Sequence, residues 1–254
     1  MTLPRFGRVE VHPRPLADGV AREAGWMAAA AATGQASAHL WRGEPGLVVP
    51  RSCTLLPGWQ TALSRHALQV RASGGGVVPQ GPGVLNLSLV WPAETALPSD
   101  AEAVYRALCA GLAEALAALG IAARPQAVTG SFCDGRFNLA LAGRKLAGTA
   151  QSWRRIAGQP VVLAHAVLLV DADPLALTEA ANAFERDLGS QRHYSAQALT
   201  SVALAWQQGH GRPAPADLMA QLIALLVERF AGLPAPGGVR PGLFQRQGVC
   251  DGVA

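Results

Sequence analysis

A thiol and an amine mark the stretch of this chain that could do chemistry. Residues 130–155 hold Cys133 among small and polar neighbours and one lysine, Lys145, twelve positions on. Between them Phe137, Leu139 and Leu141 alternate with Asn138 and Ala140, the period of a half-buried strand, and Gly143 then supplies a turn. Two short strands joined at Ala142-Gly143 would fold Cys133 back within side-chain reach of Lys145. A thiolate is both a nucleophile and a good leaving group, so the pair suits acyl transfer. A free cysteine ionises near pKa ~8.5, so such a thiol needs a positive group or backbone amides beside it.

The elements that must position these groups belong to a globular chain. At 254 residues it is long enough for one large domain, or for one domain with a small appendage. Half the residues are hydrophobic and only 15% are charged, which excludes disorder. The net charge of +4 favours acidic partners, yet the 21 Lys and Arg form no dense run and few aromatics lie among them, which argues against nucleic acid. Cys53, Cys109, Cys133 and Cys250 lie far apart with no C-x-x-C pair, so a disulfide framework is not expected and a reducing cytoplasm fits. The six histidines form no H-x-x-x-H or C-x-x-H pattern, and no structural metal is expected. The run Ala24–Ala32 with Ala36-Ser37-Ala38 mimics a signal peptide, but Asp18, Glu23 and several prolines precede it, so it reads as a helix opening the fold. No segment approaches the ~18 apolar residues of a transmembrane helix.

In chain order, residues 1–15 read as an extended lead-in and 17–33 as a helix stopped by Gly34. Residues 38–50 read as a hairpin around Gly43-Glu44-Pro45-Gly46, and Leu63–Leu68 as a short helix. Apolar strands flank Gly74, Gly75 and Gly76. That triplet is either a wide turn or a place where bare backbone can approach an acyl chain or phosphate, with Arg71 available for an anion. No Gly-Lys-Ser/Thr follows, so it is not a P-loop. Val84–Val90 is a strand, and residues 100–119 are a helix with a Ser99-x-x-Glu102 capping box and Cys109 as a core thiol. Val161–Val170 is an apolar strand in which His165 reads as a hydrogen-bonded core residue. Helices follow from Asp173-Pro174 to Gly189, over 196–206 and over 216–230, and residues 232–254 form a Gly/Pro-rich tail after a domain spanning 1–231. Strands and helices mix without strict βαβ alternation, which gives an α+β or mixed α/β class.

Three motifs in register resemble the biotin/lipoate protein ligase family. Arg71-Ala72-Ser73-Gly74-Gly75-Gly76 with Gly83-Val84-Leu85-Asn86 is similar to its Arg-Arg-x-Ser-Gly-Gly-Gly and Gly-x-Leu-Asn signatures. Gly143–Gln151 is similar to its Gly-Lys-Lys-x-x-Gly-Ser-Ala-Gln, and Val162–Leu169 to the His-Gly-x-Leu-Leu strand that follows. Ser131-Phe132-Cys133-Asp134-Gly135 resembles the Ser-Phe-Cys-Pro-Gly of the cysteine-dependent octanoyl-transferring branch. The chain departs from the family at Ala72, where the second arginine of the pair is lost, and at Asp134, where proline is common.

The resemblance implies an α+β fold, a central mixed, largely antiparallel sheet flanked by helices. It implies Cys133 and Lys145 as catalytic residues. Arg71, Ser73, Gly74, Gly75, Gly76, Asn86, Asn138, Gly148, Thr149 and Ala150 would bind acyl group or substrate. The ammonium of Lys145 would stabilise the thiolate and then the oxyanion. The implied activity moves an octanoyl or lipoyl group through a cysteine thioester onto a lysine of an acidic acyl-carrier or lipoyl-domain protein of the GcvH or E2 type, with no cofactor. Two rivals remain open. One is a ligase using ATP and Mg to form an acyl-adenylate, in which Lys145 would contact the adenylate. The other is a non-catalytic acyl-binding relative.

Overall fold

The computed structural model describes residues 6–72, 74–94, 101–133 and 135–232. In chain order the elements are β1 (Arg8–Val11), α1 (Gly19–Thr33), β2 (Ser37–Trp41), β3 (Gly46–Pro50), α2 (Trp59–Arg65), β4 (Leu68–Arg71) and β5 (Val78–Gln80). Then come β6 (Val84–Pro92), α3 (Ala101–Ala117), β7 (Arg124–Gln126), β8 (Asn138–Leu141), β9 (Arg144–Ile156) and β10 (Gln159–Leu169). The chain continues through α4 (Pro174–Leu188), α5 (Val202–His210) and α6 (Leu218–Ala231). Seven strands form one sheet in the order β1-β2-β6-β10-β9-β8-β7, and β4-β3-β5 form a second, smaller sheet. In the large sheet β1 and β2 run parallel and the other neighbours antiparallel, so the fold is the expected α+β arrangement of a mixed sheet flanked by helices. Among the described residues no helix is long and apolar enough to cross a membrane.

Period-2 geometry sorts the central strands into two working faces. Leu85, Leu87, Leu89 and Trp91 of β6 join Val162, Ala164, Ala166 and Leu168 of β10 in the core with α3 and α6. The alternate residues point the other way. There Val90, Val161 and Leu163 pack under α1, while Val84 and Leu169 pack with α4 and the small sheet. Both faces are covered, so Val84–Trp91 of β6 is buried throughout, including the polar Asn86 and Ser88 on the second face. The gap on the second face, between α1 and the small sheet, is where His165, Val167 and Leu169 line a cleft.

Local signals place the helices well. Asp18 and Gly34 bracket α1, with Gly34 left-handed at φ 70°. Asp173 caps α4 by accepting from Leu175 N, and Gly189 ends it. Ser99, and with it the predicted capping box, lies outside the described residues, as do Ser73, Asp134 and residues 233–254.

Four local expectations need correction. Residues 38–50 are not a hairpin: β2 pairs with β1 and β6 in the large sheet, whereas β3 pairs with β4 and β5 in the small one. Two apolar strands flanking a Gly-Pro turn look the same locally whether they pair with each other or with distant strands. The lead-in contains β1, and Phe6 is buried to 1% exposure against Trp91. The helix expected at Leu63–Leu68 ends at Arg65, because His66 turns out to meet Asp187 at 2.8 Å and Leu68 pairs with Leu47. Residues 196–206 are not one helix. A 3-10 turn at Ala196–Ala198 is followed by extended chain, where Thr200 N donates to Lys145 O at 2.8 Å, and only then does Ser201 cap α5.

Candidate functional site

Cys133 lies in the loop between β7 and β8, and its own backbone is unusual: φ is +57°, in the left-handed region that side-chain-bearing residues rarely adopt. Other residues hold it there. Asn138 Nδ2 donates to Cys133 O at 2.8 Å, Thr149 Oγ1 donates to Phe137 O at 2.7 Å, and Ser131 Oγ donates to Val128 O at 2.7 Å. The β8–β9 hairpin turns at Ala142 and Gly143, both with positive φ (49° and 75°), the backbone of a two-residue hairpin loop. That tight turn returns Lys145 to the Cys133 loop, as the sequence spacing predicts. Lys145 is buried at 6% exposure, and its Nζ donates to Cys133 O at 3.1 Å and to Phe132 O. Gly148 makes this path possible: a Cβ there would stand 2.8 Å from Lys145 Nζ.

The glycine triplet closes over the same thiol. A Cβ on Gly75 would sit 3.3 Å from Cys133 Sγ and 3.0 Å from Arg71 Nη2, at a φ of +107°; one on Gly76 would sit 3.0 Å from Tyr194 Oη. A Cβ on Gly74 would meet nothing within 4 Å. The triplet is therefore both turn and close-approach backbone. Arg71 shapes it, with Nη2 donating to Gly76 O at 2.6 Å and Gly74 O at 3.1 Å and Nη1 to Val48 O at 3.1 Å. Its guanidinium, expected to await an anion, is engaged with backbone carbonyls, and burial pulls its pKa below the ordinary value.

From Cys133 a narrow apolar cleft runs along Val78, Pro79, Ala147, Ala150, Val167 and Leu169, side chains suited to an acyl chain. Gly148, Thr149 and Lys145 also line it. Sequence reasoning missed its polar wall. His165 Nδ1 lies 3.3 Å from Glu23 Oε1; Ser88 Oγ donates to the same carboxylate oxygen at 2.9 Å, and Trp41 Nε1 donates to Ser88 Oγ at 3.0 Å. His165 is half-buried, at ion-pair distance from Glu23, and faces the cleft rather than the core. Glu23 gave one usable signal, an acidic residue on an otherwise alanine-rich helix. Asn86 sits further in, paired with Gln80 through Nδ2 to Oε1 at 2.8 Å and part of a smaller extension of the cleft that also touches His165.

Cys133 also borders two more clefts. One is polar, walled by Gly75, Gly76, Ser131, Arg192 and Tyr194; the other opens past Tyr105, Phe137 and Asn138. Tyr194 is a fixed wall. Asn182 binds both its backbone N and O, and its hydroxyl donates to Glu185 at 2.7 Å, so burial and then that carboxylate raise its pKa. Among the described cysteines Cys133 alone is not buried. Desolvation raises the pKa of Cys53, and that of Cys109 to about 11, which keeps both thiols protonated.

This geometry meets the comparisons with known proteins. The model of the lipoyl protein ligase A/B catalytic domain matches residues 36–222. An uncharacterized protein of Cupriavidus necator is 44% identical over 224 residues, covering 81% of this chain and 88% of its own. An octanoyl-GcvH:protein N-octanoyltransferase of Kyrpidia tusciae is 36% identical over 208 residues, covering 77% of this chain and 71% of its own. The crystal structure of a lipoate-protein ligase A bound with ATP superposes with a TM-score of 0.62 at 18% identity, over 88% of this chain and 85% of its own, which is a likeness of fold. With both motifs and architecture in agreement, the chain belongs to the lipoyl protein ligase A/B catalytic-domain family.

Proposed function

We propose that this chain is an acyltransferase that carries an octanoyl or lipoyl group on Cys133 between lysines of lipoyl-type carrier proteins. The observation that carries the reading is the placement of Cys133. It is a partly exposed thiol at the mouth of an apolar cleft, with the Lys145 ammonium seated on its own carbonyl. The named activity of the Kyrpidia tusciae relative supports the octanoyl donor and the GcvH-type partner. Cys133 Sγ attacks the acyl carbonyl of the donor's acyl-lysine; the C–S bond forms, the C–N bond breaks and the leaving amine takes a proton. The acceptor lysine's amine then attacks the thioester, the C–N bond forms and the thiolate leaves. An amide is exchanged for an amide, so the balance needs no ATP. The acyl chain lies along Val78, Val167 and Leu169, and the carrier's backbone approaches through one of the two outer clefts.

Intact-protein mass after incubation with octanoyl-loaded carrier protein, without ATP, tests the reading. The expected result is an octanoyl adduct that hydroxylamine removes. Acyl transfer that begins only when ATP and lipoate are added, with no such adduct, would make the chain a ligase. Octanoate or lipoate that binds with no adduct and no transfer, with or without ATP, would make it a silent acyl-binding relative.

The second step needs a base for the acceptor ammonium, and His165, held by Glu23, faces the cleft for it. His165→Gln is expected to slow both half-reactions by ~10²-fold or more, because the base of the discharge step is also the acid that protonates the leaving amine when the donor is an acyl-lysine. Single-turnover mass measurements across pH test this; rates within about threefold of wild type, or a uniform loss with an unchanged pH profile, would assign His165 to architecture alone.

A further inference from the structure

We propose that Glu10, His12 and His39 bind one zinc ion at the edge of the large sheet, away from Cys133. The site follows from strand register. β1 and β2 pair in parallel with Glu10 opposite His39. His12 lies two residues beyond Glu10 and Ser37 two residues before His39, so all four side chains share one face. Their donor atoms converge. His12 Nε2 is 3.5 Å from His39 Nδ1, and Glu10 carboxylate oxygens lie 4.0 Å from His12 Nε2 and 3.9 Å from His39 Nδ1. These are the two different oxygens, Oε1 towards His12 and Oε2 towards His39, and one donor atom from each of the three residues falls within 4.8 Å of the others. Ligands ~2.0–2.1 Å from a tetrahedral zinc stand ~3.3–3.4 Å apart, so a swing of the half-exposed Glu10 carboxylate by about an ångström closes the set on a metal.

The surroundings fit as well. His39 Nε2 lies 3.0 Å from Ser37 Oγ. With Nε2–H donating there, Nδ1 presents its lone pair towards Glu10 and His12, the second-sphere contact that orients a metal-bound imidazole. The Trp26 indole of α1 stacks flat on His39, with centroids 3.9 Å apart and planes 3° apart, and also borders His12 at 5.5 Å. His39 is 4% exposed and rigidly placed. Two imidazoles and one carboxylate favour a borderline first-row cation such as zinc over magnesium or calcium, and three protein ligands leave a fourth position for water. Sequence spacing hides the site because one ligand comes from β2, 27 residues beyond His12. A bound ion would tie the edge strand β1 to the sheet.

The competing account is a plain hydrogen bond between His12 and His39. Full-length, tag-free, chelator-treated protein is titrated with zinc by calorimetry and with cobalt by absorption spectroscopy. We expect one equivalent bound and a midpoint of thermal unfolding several degrees higher with zinc. His12→Ala and Glu10→Gln, at more exposed positions that leave the buried His39 in place, should each weaken binding at least tenfold and abolish the thermal gain. No binding by the wild type, unchanged binding in both variants, or a thiolate-to-cobalt charge-transfer band, which would place the metal on a cysteine, each overturns the site.

Discussion

Cys133→Ala and Cys133→Ser are both expected to lose transfer to a carrier lysine by at least ~10³-fold in kcat/KM, the scale seen when a covalent nucleophile is removed. Alanine leaves nothing to accept the acyl group. Serine keeps an oxygen nucleophile but makes an ester whose alkoxide leaves poorly. The residue is partly exposed, and its left-handed backbone is held by Asn138 rather than by its own side chain, so both variants should fold. Thermal midpoints within a few degrees of wild type would show this. In an adenylate-forming ligase the thiol is a bystander, so retention of activity within about threefold in Cys133→Ser would sink the thioester route. Among the described residues the other two cysteines, Cys53 and Cys109, cannot stand in, because they are buried thiols with raised pKa values.

The site was legible where its parts are local, and obscure where the sheet assembles them. Cys133 and Lys145 are joined by one hairpin, so alternation and a turn residue suffice to bring them together. The helix boundaries at Asp18, Gly34, Asp173 and Gly189 are likewise local chemistry. His165, Ser88 and Glu23 meet only because β10 pairs with β6 in a register that sets His165 opposite Ser88, while α1 crosses the same face. Nothing within a few residues of any of them signals that. The same limit explains the missed split between β2 and β3: alternation states that a segment is a strand, not which sheet receives it. Arg71 shows a subtler limit. The sequence says that a guanidinium lies beside a glycine turn, but only the fold shows its donors turned inward onto the carbonyls of that turn.

Lys145→Ala is expected to cut transfer by ~10²–10³-fold, the range for removing one charged stabiliser of a developing oxyanion. Lys145 is the sole lysine of the chain, the other 20 of its 21 Lys and Arg residues being arginines. That singular choice has a physical reading: an amine is a compact donor that fits beneath Gly148 and can exchange a proton, whereas a guanidinium is a wide planar fork that stays charged. Lys145→Arg should therefore fail to restore activity. Gly148→Ala should act in the same direction more weakly, because its Cβ would stand 2.8 Å from Nζ and push the amine off the Phe132 and Cys133 carbonyls. Part of the alanine effect will be structural. Removing the donor strands one buried acceptor, Phe132 O, at about 1–3 kcal/mol, or a few degrees in thermal midpoint for a chain of this size, whereas Cys133 O keeps its bond from Asn138. Rates measured well below the midpoint isolate the chemical part. Lys145→Met, which keeps the length and burial without the charge, completes the test: a variant that folds yet stays within about threefold of wild-type rate would reduce Lys145 to a clamp on the Cys133 loop.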